Sequence, residues 1–171
     1  MVELKDFIRD VPDFPKPGIL FKDITPLLKS PKALAKTIRG LAEPFLGKHI
    51  DAVVGIESRG FIFGVPLASV LQTGFIPIRK PGRLPAKTVE VSYGLEYGSD
   101  RVSIHEDSIQ RGQKVVLVDD LLATGGTMGA AVKLIQQLGG DIVGIVVVIE
   151  LTSLGGRSKL NGYPIHSLLQ Y

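Results

Sequence analysis

The sequence predicts an α/β fold built on a parallel β-sheet, and two observations support this prediction. A strand, a polar turn, a helix and a second strand follow one another twice, over residues 52–78 and 115–149. The last of these strands, residues 142–149, is apolar without alternation, which is typical of a strand covered on both faces. Ligands of such sheets bind at the carboxyl ends of strands, so the polar turns 57–60 and 119–127 mark the expected site.

The first 50 residues predict two helices separated by an irregular segment. Residues 3–9 are typical of a short helix, and the prolines and glycine of residues 12–18 interrupt regular structure after it. Ser30 and Pro31 form a favourable helix start, because serine caps a helix and proline is tolerated in its first turn. Apolar residues then recur at helical spacing, and Gly47 can end this helix.

The middle of the chain predicts the first strand–helix–strand unit, followed by an exposed loop and a hairpin. Pro66 lies inside the predicted helix and marks a kink or a later helix start. The loop is rich in basic residues, proline and glycine. These elements are strand 52–56, helix 61–72, strand 75–78, loop 79–85, and hairpin strands 88–93 and 101–104.

The second unit carries the most informative motif. A β-branched run at 115–118 predicts a strand that ends at two carboxylates, Asp119 and Asp120, before a turn at 124–127 that opens a helix. Carboxylates accept hydrogen bonds from vicinal hydroxyls, and the free N–H groups and dipole of a helix N-terminus favour a phosphate. The combination predicts a ribose 5-phosphate site. The alternative is that the acids only cap the helix and the glycines only shape a tight turn.

Composition limits the classes of function. A chain of 171 residues with 44% hydrophobic residues suits one domain. It has no cysteine, which fits a reducing compartment, and we expect a soluble cytoplasmic protein without a membrane partner. The net charge of +3 suits an anionic ligand, but no basic run favours nucleic acid as a partner. The three histidines, His49, His105 and His166, lack metal-ligand spacing.

Residues 115–127 resemble the phosphoribosyl-pyrophosphate motif of the type I phosphoribosyltransferases. The resemblance extends along nearly the whole chain to the adenine phosphoribosyltransferase branch of that family. The acidic motif is common to the superfamily, whereas the N-terminal segment and Leu95-Glu96-Tyr97-Gly98 are similar to the adenine-specific branch. The other matching segments are 14–26, 55–61, 79–82, 93–98 and 150–154.

The resemblance implies a fold and a reaction. The fold is a single type I phosphoribosyltransferase domain over residues 1–171, with a hood that supplies the purine pocket at 1–30 and a mobile hairpin lid at 79–104. The reaction transfers the 5-phosphoribosyl group from phosphoribosyl pyrophosphate (PRPP) to adenine, giving AMP and pyrophosphate in purine salvage. Mg²⁺ is expected to bind through the substrate without direct protein ligands. A homodimer is also implied, with the lid or helix 61–72 near the interface.

The resemblance also implies residues that bind PRPP. Asp119 and Asp120 would hold the ribose hydroxyls, and the 5-phosphate would lie on Ala123, Thr124, Gly125, Gly126 and Thr127. A cis peptide is expected between Glu57 and Ser58. Pyrophosphate would meet Glu57, Ser58, Arg59, Gly60, Arg79 and Lys80, with Arg83 and Tyr97 on the lid. The alternatives are a surface ion pair for Arg59 and a solvated loop without a ligand for the lid bases.

Adenine would be recognised by Leu20, Phe21, Lys22 and Leu154, through backbone groups of Leu20 and Lys22 and stacking on Phe21. Related 6-oxopurine enzymes place a lysine after the last strand, where it bonds to the purine oxygen. Here the predicted last strand continues into Glu150-Leu151-Thr152 without a lysine, which favours adenine over hypoxanthine or guanine. Phe21 could instead be an ordinary core aromatic residue.

Glu96 is the candidate catalytic residue for exchange of a proton with adenine, alongside Arg59 as the candidate for the leaving group. The alternative for Glu96 is an exposed turn acid. Two alternative functions stay open at this point. One is a phosphoribosyltransferase for another purine such as xanthine, and the other is a regulator that senses PRPP on the same fold.

Overall fold

A five-stranded parallel β-sheet forms the centre of the protein, as the sequence predicts. The structure is a computed structural model that describes residues 3–94 and 99–171. Every pair of neighbouring strands in this sheet is parallel. In spatial order the strands are β4 (Gly74–Ile78), β3 (Ala52–Ile56), β7 (Lys114–Leu122), β8 (Asp141–Glu150) and β9 (Ile165–Gln170).

Helices cover both faces of the sheet and divide the core in two. Val53 and Val116 point to the face covered by α2 (Pro31–Ala42) and α3 (Arg59–Val70). Val54 and Leu117 point to the other face, where α4 (Gly126–Gln137) packs with a hairpin of β5 (Thr88–Gly94) and β6 (Ser99–His105). Complete burial of one such side chain stabilises the fold by about 1.5–3 kcal/mol. This two-sided burial explains why the central strands are apolar without alternation.

The helix starts and ends follow local signals. The Ser30 hydroxyl accepts a hydrogen bond from the backbone N–H of Ala33 at 3.3 Å and caps α2, as predicted. The helix ends at Ala42, before a 3₁₀ turn at Glu43–Phe45. Helix α3 begins at Arg59, two residues earlier than predicted, and contains Pro66. The proline does not delay the helix start, and the helix continues past it to Val70, although residue 66 cannot donate to the carbonyl of residue 62.

The N-terminal segment contains a strand pair that the sequence analysis missed. β1 (Arg9–Pro12) pairs antiparallel with β2 (Leu20–Asp23), so the expected irregular segment is only the connection between them. The predicted helix at 3–9 is a shorter 3₁₀ turn, Leu4–Phe7. After β2, the short helix α1 (Thr25–Lys29) leads into α2. The prolines disguised the pair, because they lie at its end and in its connection.

Two further predictions about the sheet were wrong. β7 does not end at the two acids but continues to Leu122, because Leu121 and Leu122 still pair with β8. β8 is not the last strand, because β9 pairs with it in parallel and forms one edge of the sheet. None of the helices in the described part of the chain is long and apolar enough to cross a membrane.

Candidate functional site

A cavity of about 480 Å³ opens at the carboxyl ends of β3 and β7. A smaller adjoining cavity, of about 210 Å³, follows the turn between β7 and α4. Together they bring the two polar turns of the sequence into one site, as the fold predicts. Both cavities are lined by Arg59, Asp119, Asp120 and Thr127.

The two acids form the negative part of this site. Asp120 is buried, and its Oδ2 accepts a hydrogen bond from Nε of Arg59 at 2.7 Å. Oδ1 of Asp119 accepts one from the backbone N–H of Asp120 at 2.9 Å. Removal from water and the charge of Asp120 raise the pKa of Asp119 well above its usual value. Removal from water also raises the pKa of Asp120, and Arg59 opposes that shift.

The turn after β7 presents backbone donors, as predicted for a phosphate site. Gly125 has a φ of +78°, and α4 begins at Gly126. The N–H groups of Gly126, Thr127 and Met128 come before the first intrahelical donor, Gly129, which donates to the Gly125 carbonyl. A helix N-terminus of this kind favours an anion through its free donors and its dipole.

The turn after β3 contains the cis peptide that the resemblance implied, between Glu57 and Ser58. Glu57 binds one of the predicted lid bases, because its Oε2 accepts from Nε of Arg79 at 2.6 Å. Nη1 of Arg79 donates to the carbonyl of Arg83 at 3.0 Å. The start of the loop that was predicted to form a lid is therefore tied to the β3–α3 turn, and Arg79 has a protein partner rather than lying free in solvent.

Tyr93 and Asp100 line the larger cavity and were missed by the sequence analysis. They face each other across the β5–β6 hairpin, and the Tyr93 hydroxyl donates to Oδ2 of Asp100 at 3.2 Å. The same oxygen is 2.7 Å from Nζ of Lys80. The hydrogen bond that Lys80 donates to Asp100 lowers the pKa of Asp100 and raises the pKa of Lys80. The predicted hairpin could have indicated this pair, because residues 93 and 100 are opposite each other when residue 94 pairs with residue 99.

The residues predicted for purine recognition are divided in the structure. Leu20 and Leu154 are about half exposed, at 50% and 49%. The Phe21 ring lies 5.4 Å from Cζ of Arg59, which connects the N-terminal strand pair to the acid site. The Lys22 side chain points elsewhere, with Nζ 2.6 Å from Asp10 and 3.9 Å from the ring centre of Tyr171. Only backbone groups of Lys22 therefore fit the predicted role.

Comparison with known proteins identifies the family. The model of the phosphoribosyl transferase domain matches residues 22–163. An adenine phosphoribosyltransferase from Acidobacterium capsulatum is 60% identical over 168 residues, which are 98% of this chain and 93% of that protein. The chain belongs to the adenine phosphoribosyltransferase family.

Solved structures of the family agree with this fold. The adenine phosphoribosyltransferase of Thermoanaerobacter pseudethanolicus has a TM-score of 0.95 and 53% identity, and the match covers 98% of each chain. The enzyme of Saccharomyces cerevisiae, solved with adenine and an imino-altritol bisphosphate, has a TM-score of 0.92 and 44% identity. That match covers 97% of this chain and 96% of the yeast chain.

Some predicted features of the family site are not tested by the structure. Glu96 and Tyr97 lie outside the described residues, so their roles stay predictions. Within residues 3–94 and 99–171, no three His, Cys, Asp or Glu side chains are grouped so as to hold a metal. The preference for adenine was predicted from the absence of a lysine after the last strand, but the strand in question is β8, and β9 follows it in the sheet. No lysine follows β8 at 151–154.

Proposed function

We propose that this protein transfers the 5-phosphoribosyl group of PRPP to N9 of adenine and releases pyrophosphate, giving AMP for purine salvage. The observation that carries the proposal is the juxtaposition of the Asp119–Asp120 pair with the donor-rich start of α4. The carboxylates can accept hydrogen bonds from the two ribose hydroxyls, and the backbone amides beside them can bind the 5-phosphate, so the site matches both ends of a ribose 5-phosphate. Membership of the adenine phosphoribosyltransferase family supplies the reaction.

Within this proposal the sugar is held by the fixed part of the site. Asp119 and Asp120 accept hydrogen bonds from the ribose hydroxyls, and the turn from Ala123 to Thr127 donates to the 5-phosphate. Both elements belong to one strand–turn–helix unit, so the distance between hydroxyl and phosphate subsites is set by the backbone. Such positioning lowers the entropic cost of reaching the transition state.

The basic residues serve the leaving group. As the bond from C1 to pyrophosphate breaks, negative charge grows on the pyrophosphate and positive charge on the ribose ring. Arg59 and Lys80 line the cavity that would receive the pyrophosphate, together with Glu57 and Ser58. Arg79 is paired with Glu57 beside it, and backbone groups of Gly60 would complete the pyrophosphate site. Fixed cationic donors stabilise this developing charge without reorganisation of solvent. Arg83 follows on the same loop and would help the lid to exclude water.

Mg²⁺ fits the chemistry of this site as a substrate-bound ion. The carboxylates of Asp119 and Asp120 can accept hydrogen bonds from the water molecules that Mg²⁺ keeps when it binds. The described residues contain no group of three or more acidic, histidine or cysteine side chains that could hold the ion directly. When bound, the ion would neutralise part of the pyrophosphate charge. Burial raises the pKa of both acids, and a cation or hydrogen-bond donor bound beside them would lower it again.

Adenine would lie between the N-terminal strand pair and the loop after β8. The exposed side chains of Leu20 and Leu154 would cover its apolar faces, and Phe21 would stack on the ring. Glu96 would take the proton that N9 chemistry releases, and Tyr97 would close over the site. Residues 1–30 then act as the purine hood and residues 79–104 as the lid of one domain.

A homodimer is part of the same proposal. The outer face of α3 exposes Ile62 and Val65, which suit an apolar contact with a second copy close to the Arg59 turn. The predicted cytoplasmic location fits the absence of cysteine.

The function is tested by following pyrophosphate release from PRPP and Mg²⁺ with adenine, with xanthine and without a base. We expect release that depends on adenine. Faster release with xanthine would replace the substrate assignment, and PRPP binding without release under any condition would favour a sensing regulator.

A further inference from the structure

The loop after β8 contacts the phosphate turn and carries Leu154, which is proposed for the purine, yet its anchoring residues lie outside the cavities. It begins at Leu151 and reaches a 3₁₀ helix at Gly156–Leu160. Leu154, proposed for the purine, lies in its 3₁₀ turn at Thr152–Leu154. Gly156, at its end, contacts the phosphate turn.

The contact between Gly156 and the phosphate turn is made by backbone on both sides. A Cβ atom placed on Gly125 would lie 2.6 Å from the Gly156 carbonyl oxygen. A Cβ atom on Gly156 would lie 2.2 Å from the Ala123 carbonyl oxygen and 2.9 Å from the Gly125 nitrogen. Gly156 therefore packs directly against the backbone of the turn proposed to bind the 5-phosphate, with no room for a side chain at either glycine.

An ion pair closes this loop at its two ends. Nε and Nη2 of Arg157 donate to Oε1 and Oε2 of Glu150 at 2.8 and 2.6 Å, a bidentate arrangement. The Glu150 side chain is only 5% exposed, and the Ser167 hydroxyl donates to its Oε2 at 2.8 Å. Nη1 of Arg157 reaches the Ile165 carbonyl on β9 at 3.1 Å. Hydrogen bonds from Arg157 lower the pKa of Glu150, so the carboxylate is held ionised.

We propose that Arg157 is a positioning residue for the transfer reaction. Its bidentate bond to Glu150 holds Gly156 against the phosphate turn and Leu154 at the purine side. Neither side chain of the pair lines the cavities, so the pair acts through the loop and not on the substrates. The inference rests on the proposed function, because it assigns the phosphate to the turn at 123–127.

The physical need for such a clamp comes from the glycines. Gly155 has a φ of +63° and precedes Gly156, so two consecutive residues lack the restriction of a side chain. The 3₁₀ helix at 156–160 has no side-chain cap at its start. A planar, bidentate arginine is well suited to fix this segment, because its two parallel hydrogen bonds restrain direction as well as distance.

The test compares Arg157→Ala and Arg157→Lys with Ser167→Ala as a matched control. Ser167 donates to the same carboxylate oxygen but lies on β9, outside the clamped loop. Steady-state kinetics give KM for PRPP, KM for adenine and kcat, and thermal unfolding gives Tm. Direct titration with PRPP and Mg²⁺ shows whether the wild-type protein binds the substrate at all.

We expect Arg157→Ala to raise KM for PRPP by about tenfold or more, since small displacements of a positioning group have effects of this size. Arg157→Lys should recover part of this loss, and Ser167→Ala should stay within about twofold of wild type. Gly156→Ala tests the contact directly and should raise KM for PRPP more than KM for adenine. If Arg157→Ala does not fold, Glu150→Gln, which keeps the shape of the carboxylate, is judged by the same criteria.

Three results would overturn the inference. One is a lower Tm for Arg157→Ala with both KM values unchanged, and another is an equal rise in KM for Arg157→Ala and Ser167→Ala. The third is an unchanged KM for PRPP in Gly156→Ala. A wild-type protein that fails to bind PRPP would instead overturn the proposed function.

Discussion

Nε of Arg59 lies 2.7 Å from Oδ2 of Asp120, and this ion pair joins the turn after β3 to the end of β7. Asp120 is almost fully buried, whereas the Arg59 side chain is 40% exposed and also lies over the Phe21 ring. One guanidinium therefore contacts the proposed sugar site and the proposed purine site. Substrates that bind both sites must compete with these contacts or use them.

Removal of Arg59 should alter the pH dependence of the protein. Arg59 lowers the pKa of Asp120 against the effect of burial, so Arg59→Ala should raise that pKa further. The acid limb of kcat/KM for PRPP should then move to higher pH, and kcat should fall by about a hundredfold or more, because the leaving group loses a donor. Arg59→Lys, which keeps the charge, should restore the acid limb. An acid limb unchanged in Arg59→Ala would contradict the role of this pair.

The carboxylate of Asp119 is expected to lower the stability of the fold while it contributes to PRPP binding. Its folded-state pKa lies above the ordinary 3.8, so ionisation costs more in the folded protein, and stability falls as the pH rises from about 3.8 through the raised value. At pH 7 Asp119→Asn should therefore raise Tm by about 2–4 °C, which corresponds to about 1 kcal/mol in a domain of this size. It should also abolish measurable PRPP binding.

The matched control for this prediction is Asp141→Asn, a change at an exposed acid at the start of β8. Thermal unfolding of both variants at pH 5 and pH 8 is the measurement, and the Asp119 change should alter the pH dependence of Tm because burial raises the pKa of that carboxyl. A lower Tm for Asp119→Asn at pH 8 would show that the carboxylate stabilises the fold.

The N-terminal strand pair should depend on the last residue of the chain. Nζ of Lys22 lies 3.9 Å from the ring centre of Tyr171 while it binds Asp10, so the ring helps to dock the strand that carries Phe21. Tyr171→Ala should raise KM for adenine about threefold to tenfold and leave KM for PRPP unchanged, in line with the energy of one cation–π contact. Tyr171→Phe keeps the ring and should behave as wild type. Equal kinetics for the Ala and Phe variants would rule out this docking role.

Asp100 places a negative charge in the cavity proposed for pyrophosphate. Asp100→Asn should lower the dissociation constant of pyrophosphate by a few fold, because it removes repulsion and frees Lys80. Glu90→Gln is the control, since Glu90 pairs with Arg101 on the same hairpin but does not line the cavity. Weaker pyrophosphate binding in Asp100→Asn would mean that Asp100 serves mainly to hold Lys80 in place. The measurement is titration calorimetry with Mg²⁺ present.

Glu96→Gln should lower turnover with little change in the affinity for PRPP, because the change removes a proton acceptor and keeps the size of the side chain. Single-turnover measurements isolate the chemical step from product release. A wild-type rate for that step would exclude Glu96 from proton transfer.

The sequence was sufficient for the parts of the fold with regular signals. The β-branched run at 115–118 and the glycine turn after it predict a strand and a helix, and the structure contains both. The anion site predicted at the turn stays a prediction. The extension of β7 beyond Asp119 was not predictable from that strand, because it depends on pairing with β8. β1 and β2 were missed for a similar reason, because their pairing depends on contacts distant in sequence, and the prolines at 12–17 indicated irregular structure instead.

The sequence predicted that the two polar turns would lie at one edge of the sheet, but it did not predict how their side chains pair. Parallel strands place the turns at 57–60 and 119–127 at the same edge, yet nothing in the sequence selects Asp120 as the partner of Arg59 or Glu57 as the partner of Arg79. The Gly156 contact with the phosphate turn depends on the course of the loop after β8 and on β9, which the sequence analysis did not include.

The central claim is transfer of a phosphoribosyl group to adenine, and a competition in one vessel tests it most directly. Purified protein is mixed with PRPP, Mg²⁺ and equal concentrations of adenine, hypoxanthine, guanine and xanthine, and the nucleotide products are quantified by mass spectrometry. The account predicts AMP as the main product, formed in equal amount with pyrophosphate. A larger yield of any other nucleotide, or no nucleotide at all, would contradict it.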